Sequence, residues 1–94
     1  MMRFEWDPNK AETNQIKHSI GFDEATTVFG DPLALTFDDL DHSEAEHRYL
    51  TFGISAKNTP LVVAHTDRGD RIRIICARRM TRRERRGHEH YGKR

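Results

Sequence analysis

An α+β fold is predicted by three observations. Two segments near the N-terminus carry helical punctuation, apolar residues between Leu33 and Arg78 recur mostly at alternate positions, and Thr81 to Glu84 has the spacing of a helix start. The predicted order is β-α-α-β-β-β-β-α, an antiparallel β-sheet meander packed against two N-terminal helices, with a basic C-terminal helix.

Arg3-Phe4-Glu5-Trp6 alternates polar and apolar side chains and reads as a short strand. Asp7 then offers a carboxylate to the open amides of a helix start, and Pro8 supplies a φ that is already helical. A helix is therefore expected from about Pro8 to His18. Its apolar surface is small, and Lys10, Asn14, Lys17 and His18, at i, i+4, i+7 and i+8, share one face that is chemical rather than hydrophobic. Gly21 allows a turn. A second short helix from about Asp23 to Phe29 groups Phe22, Ala25, Val28 and Phe29 before Gly30-Asp31-Pro32 ends it.

Strands follow at Leu33, Leu35 and Phe37 and at Leu50, Phe52 and Ile54, on either side of an acidic stretch, Asp38 to Glu46, that reads as a loop or ragged helix entry. Lys57-Asn58-Thr59-Pro60 is a turn, Leu61 to Thr66 a strand, Asp67-Arg68-Gly69-Asp70 a tight turn and Arg71 to Arg78 the last strand. In Thr81-Arg82-Arg83-Glu84 the hydroxyl and the carboxylate have capping-box spacing, so a final helix opens there and frays near Gly92.

Ninety-four residues predict a single domain, 1–94, of which roughly 60 to 65% of the unfolded surface can be buried. With 35% hydrophobic and 33% charged residues the core is thin, and part of the stability is expected from a partner. No run approaches the ~20 apolar residues of a membrane span, and Met1 to Asn9 lacks the apolar centre of a signal peptide. The single Cys76 has no disulfide partner and reads as a small buried hydrophobe within Ile72 to Ala77. A cytoplasmic location away from membranes is expected.

The net charge of +1 conceals a division: Lys and Arg number 3 against 11 Asp and Glu in residues 1–47, and 13 against 4 in residues 48–94. The halves are therefore −8 and +9, and the densest basic run, Arg78 to Arg94, follows the last strand. Such a field draws phosphates to one side and a protein partner to the other, so RNA is the first ligand to expect. The plain alternative is a solvated helix face that keeps a small protein soluble.

The order of motifs resembles one family. Trp6-Asp7-Pro8-Asn9-Lys10-Ala11, Asn14, Lys17-His18, Phe22-Asp23-Glu24-Ala25, Val28-Phe29, Asp31-Pro32, Glu46-His47-Arg48, Thr66 to Asp70, Arg73-Ile74-Ile75, Ala77-Arg78-Arg79, Thr81 and Glu84 together look like the BrnT toxins. These are ribonucleases of bacterial type II toxin–antitoxin pairs with a RelE-like fold. Departures stand at Ser19, Gly21, Met80 and His65, the last where tyrosine is expected. The resemblance implies a small RelE-like toxin that cleaves messenger RNA and inhibits translation. It also implies an antitoxin encoded beside it, with a ribbon-helix-helix DNA-binding domain, in a 2:2 heterotetramer that represses its own operon through operator DNA.

Cutting an RNA phosphodiester without a metal needs a base at the 2′-hydroxyl, cations at the non-bridging oxygens and an acid for the leaving 5′-oxygen. His18 has the chemistry of the acid or base, with Lys17 beside it for charge or proton donation, in the helix that flanks the cleft in the resembling family. A helix-terminal histidine answering the dipole is the structural alternative. Arg68, Arg78 and Arg79 can present guanidinium forks to phosphate, with Arg48 a further candidate; salt bridges to the acidic half are their alternative. Glu84 is a candidate base whose capping-box position, shared with Thr81, offers an adequate structural role.

Lys10, Arg82, Arg83, His65 and Tyr91 complete the expected RNA-binding set, Tyr91 by stacking on a base. No cofactor is expected. Metal ligation by His88-x-His90 with Glu89, or by His42 with His47, lacks a recognised spacing, and Cys76 has no nucleophile motif around it. The cationic end of the last strand is expected to fold against the first helix, leaving the scissile linkage between them. A nonenzymatic nucleic-acid-binding or corepressor module would keep Arg78 to Arg86 but would not need Lys17 and His18 opposite.

Overall fold

A computed structural model describes residues 2–42 and 46–92. It contains β1 (Arg3–Trp6), α1 (Pro8–His18), α2 (Phe22–Thr27), β2 (Leu35–Asp38), β3 (Arg48–Ile54), β4 (Pro60–Arg68), β5 (Arg71–Arg79) and α3 (Arg82–Gly92), with short 3₁₀ turns at Val28–Gly30 and Leu40–His42. The element order is the one read from the sequence. α2 ends two residues early because its last turn tightens into the first 3₁₀ segment. Part of the acidic stretch Asp38 to Glu46 lies outside the described residues.

The five strands form one sheet in the order β1-β5-β4-β3-β2. β2 to β5 make the expected antiparallel meander, but β1 pairs parallel with β5, Arg3 opposite Arg71 through Trp6 opposite Ile74, so the sheet is mixed. Alternation reveals that a four-residue strand exists; its partner is set by the long crossover through both helices, which local pattern does not encode.

Local chemistry fixes the ends of α1. The Asp7 carboxylate accepts from the Asn9 amide at 2.8 Å, Pro8 opens the helix, and Ser19 closes it in the left-handed region with φ 57°. The core lies between the helices and the sheet: Ile20, Phe22, Ala25 and Val28 pack on Leu61, Val63, Ile74 and Ala77. α1 itself contributes little apolar surface, and its Ile16 is 77% exposed. Gly53 is where the 3₁₀ segment crosses β3 closely; a Cβ there would come within 2.8 Å of the Val28 side chain. α3 opens on the expected capping box, with Thr81 N–H donating to Glu84 at 2.8 Å and Glu84 N–H to the Thr81 hydroxyl at 3.1 Å.

Candidate active site

β1 covers only the first half of β5, so from Ile75 onward that edge has no strand beside it among the described residues and α1 packs there instead. Asn14 makes the joint. Its amide nitrogen donates to the carbonyls of Ala77 (2.8 Å) and Ile20 (2.9 Å), and its oxygen accepts the Ala77 amide (3.0 Å). One side chain, 4% exposed, thus occupies both hydrogen-bonding groups that a neighbouring strand would have used. A bulge leaves Ile75 unpaired between Ile74 and Cys76 and opens the edge further.

The result is a groove of about 360 Å³. Asn9, Lys10, Thr13, Asn14, Lys17 and His18 form its helical wall, and Ile75 and Cys76 its floor. The chemical face predicted for the first helix is this wall. Cys76, expected to be a buried hydrophobe, is exposed instead, because the sheet face it occupies is not roofed by a helix at that point.

Cross-strand partners share a face of the sheet, and this separates the two arginines. Arg79 stands in the row Arg79–Leu61–Gly53 on the helix-covered face, where its guanidinium donates to the His18 carbonyl at 2.9 Å. That bond satisfies one of the open carbonyls at the end of α1 and ties the closing strand to the opening helix. Arg78 stands in the row Arg78–Val62–Phe52–Leu35 on the opposite face, where α3 begins. The expectation that both guanidinium groups meet Lys17 and His18 on one side of the sheet is therefore corrected: alternation sends consecutive residues to opposite faces. Arg78 remains adjacent to the groove, two residues beyond Cys76 on the same face, or about 7 Å along the strand.

Arg78 and Glu84 form a two-pronged pair at 2.7 and 2.9 Å. The Arg78 hydrogen bond, aided by Thr81, lowers the Glu84 pKa from 4.5 to about 2. Glu84 is thus a poor proton acceptor; it orients Arg78 and caps α3.

The other candidates lie elsewhere. Arg82 and Arg83 are exposed on the first turn of α3. Tyr91, 75% exposed, lines an apolar furrow with Leu35, Phe37 and Phe52. His65 is only 5% exposed, and its Nε2 bonds the Thr51 hydroxyl at 2.7 Å between Phe29 and Tyr49. Its expected role as an RNA contact is corrected: strand alternation points it into the helix-covered side, and burial lowers its pKa to about 4.

Arg68 and Arg48 sit at the far end of the sheet. Arg68 makes a fork with Glu46 at 3.0 and 2.9 Å. Register places Arg3, Arg71 and Arg68 in one transverse row and Glu5, Arg73, Thr66 and Arg48 in the next, on the same face as Arg78. Arg3, Arg71 and Arg73 stand outside the expected site; the alternate spacing of Arg71 and Arg73 within one strand is a signal that groups those two, and Arg3 joins them only through the parallel β1–β5 pairing.

Of the rival metal ligands, His88 is buried and hydrogen-bonded through Nε2 to the Leu33 carbonyl at 3.1 Å, while His90 is exposed. His42 pairs with Asp39 and His47 with Asp38. Among the described residues no group of three or more His, Cys, Asp or Glu is placed to hold a metal ion, and no helix is long and apolar enough to cross a membrane.

Residues 6–84 match the family model described as the ribonuclease toxin, BrnT, of type II toxin–antitoxin systems. The fold is similar to the crystal structure of the Brucella abortus ribonuclease toxin BrnT, with a TM-score of 0.67 and 21% sequence identity over 87% of this chain and 100% of that one. Comparison with curated protein sequences gave no match.

Proposed function

Because the chain belongs to the BrnT family of ribonuclease toxins of type II toxin–antitoxin systems, we propose that it cleaves messenger RNA without a metal ion in the groove between α1 and β5, and so arrests translation. The observation that carries this reading is the joint at the β5 edge, where Asn14 and Arg79 hold the helix bearing Lys10, Lys17 and His18 against the strand bearing Arg78.

In this reading an RNA strand lies over Ile75 and Cys76. The bond from the 2′-oxygen to phosphorus forms as the bond to the 5′-oxygen breaks, and His18 moves one of the two protons that this exchange requires. Lys10 and Lys17 balance the phosphate from the helix side. Arg78, held in plane by Glu84, presents its remaining N–H groups from the sheet side, where fixed donors cost no reorganisation as charge develops.

A type II system implies a protein antitoxin as partner. The proposed antitoxin has a ribbon-helix-helix domain, binds as a 2:2 heterotetramer and carries the toxin to operator DNA. The toxin is a single RelE-like domain, 1–94, acting in the cytoplasm. Among the described residues the core cluster holds eight buried side chains, small enough to profit from such a partner.

Induction of the wild type in bacteria is expected to stop growth and degrade messenger RNA, while the Lys17→Ala/His18→Ala variant is harmless. Purified wild type should cut RNA equally with and without a chelator, and the variant at least ~100-fold more slowly. Assays with and without ribosomes define how the substrate is presented. Equal, harmless expression of both proteins would instead favour a nonenzymatic corepressor or nucleic-acid-binding module.

A further inference from the structure

The sheet face that carries Arg78 is divided in two. α3 lies over one part through Glu84, His88 and Tyr91, against Leu35, Phe37 and Phe52. Over the other part the side chains standing on the sheet include Arg3, Arg71 and Arg68 in one row and Arg73 and Arg48 flanking Thr66 in the next. Thr66, between Arg73 and Arg48 in its row, is only 2% exposed and donates to the His47 carbonyl at 2.6 Å. The outer face of an antiparallel sheet is commonly solvated and polar, with charges of both signs free to mix on it. Here it carries guanidinium groups.

Among the described residues, four of these arginines, Arg3, Arg68, Arg71 and Arg73, share three carboxylates, Glu5, Glu46 and Asp70. Arg73 binds Glu5 at 2.7 Å, but Arg71 reaches the same carboxylate only at 3.9 Å, and Arg3 reaches Asp70 at 3.7 Å with both partners more than half exposed. Such pairs are worth little in water, and a phosphate competes for the same guanidinium edges with more charge. Arg68 and Arg73 each hold a carboxylate closely, whereas Arg3 and Arg71 hold theirs loosely and keep guanidinium edges open to a phosphate.

We propose that Arg3, Arg48, Arg68, Arg71 and Arg73 form a second phosphate-binding surface, which holds the single-stranded RNA substrate at a distance from the groove. This rests on the ribonuclease reading and deepens it. Arg73 and Arg71 lie about 13 and 20 Å from Arg78 along β5, allowing for the bulge. At about 3.4 Å per stacked nucleotide, that distance corresponds to roughly four to six nucleotides. The arginines contact backbone rather than base edges, so the surface confers a minimum substrate length and not a sequence preference.

The test uses 2′-O-methyl RNA strands of 3 to 12 nucleotides, which bind without being cut, and the variant Arg71→Gln/Arg73→Gln. Affinity of the wild type should climb at least tenfold between four and ten nucleotides, and the variant should lose that climb. The salt dependence of binding a 12-mer should fall by about 1.4 in log–log slope, for two lost contacts at about 0.7 each. On cleavable RNA the loss should appear as a rise in KM for long strands.

Arg71→Lys/Arg73→Lys keeps the charges, and with them most of the salt slope, if the Gln variant proves unstable. A folded Gln variant that binds the 12-mer as tightly as the wild type would overturn the proposal. So would unchanged RNA binding with weakened binding of the antitoxin, which would assign the surface to the protein partner. Failure of the wild type to cut any RNA would refute the ribonuclease mechanism without touching this measurement, which needs no cleavage.

Discussion

Glu84 shows how one carboxylate can serve two elements. Its oxygens hold the Arg78 guanidinium in a fork, and one of them also accepts the Thr81 amide at the start of α3. The capping box was legible because Thr81 and Glu84 are three residues apart. The fork was not, because Arg78 belongs to a strand and nothing in its neighbours says which way its side chain leaves the sheet. Glu84→Gln keeps an oxygen for the cap and removes the charge. It is expected to cost about 1–2 kcal/mol of stability, read from the urea midpoint at pH 7, and to slow RNA cleavage about tenfold as Arg78 loses its fixed plane. Wild-type stability and rate together would show that the fork is idle.

Among the elements, α1 is the one whose limits the sequence announced most fully, through Asp7-Pro8 and the loss of pattern after His18. What attaches it to the sheet was hidden. Asn14 looked like one more polar residue on a chemical face, yet it bonds the backbone of a residue 63 positions away. β1 was legible for the same local reason as α1, and its parallel pairing hidden for the same non-local one. Cys76 looked apolar by its neighbours, yet it is exposed on the face of the sheet opposite the one that packs on the core.

Asn14→Asp preserves shape but replaces two donated bonds with a buried negative charge facing two carbonyls. A loss on the order of 2–4 kcal/mol is expected. Protection of the Ala77 amide from hydrogen exchange should fall by more than that of Val63 in the neighbouring strand, and cleavage should drop by more than the unfolded fraction explains. Uniform loss of protection across β4 and β5 would mean that Asn14 is ordinary core and not the joint of the groove.

At the scale of the molecule, the polarity between the acidic and basic halves was plain in the sequence, and the sheet turns the basic half into two surfaces that no linear reading separates. Stability against acid is also a property of the whole, and two buried or paired groups set it in different windows. His65 is neutral in the fold with its pKa lowered to about 4 by burial, while in the unfolded chain it takes a proton near 6.5. Among the described residues its Nδ1 has no partner, and an empty acceptor is cheaper to bury than an empty donor, which assigns the ring proton to Nε2, donating to Thr51. As pH falls from 6.5 to 4 the unfolded chain gains a proton the fold refuses, so stability is lost there, on the order of 2 kcal/mol. Glu84, with its pKa lowered from 4.5 to about 2, contributes stability that is complete above 4.5 and lost from 4.5 down to 2. Glu46, lowered by Arg68, adds to that lower step in the same direction. Urea unfolding at pH 7, 5.5, 4 and 3 should therefore show two successive declines. His65→Phe keeps the ring between Phe29 and Tyr49 and removes the titrating group, so it should flatten the decline between pH 6.5 and 4 and leave the lower one intact. If the wild type is equally stable at pH 7 and pH 4, His65 is reached by water in the folded protein, and the helix-covered side of the sheet is less closed than its packing implies.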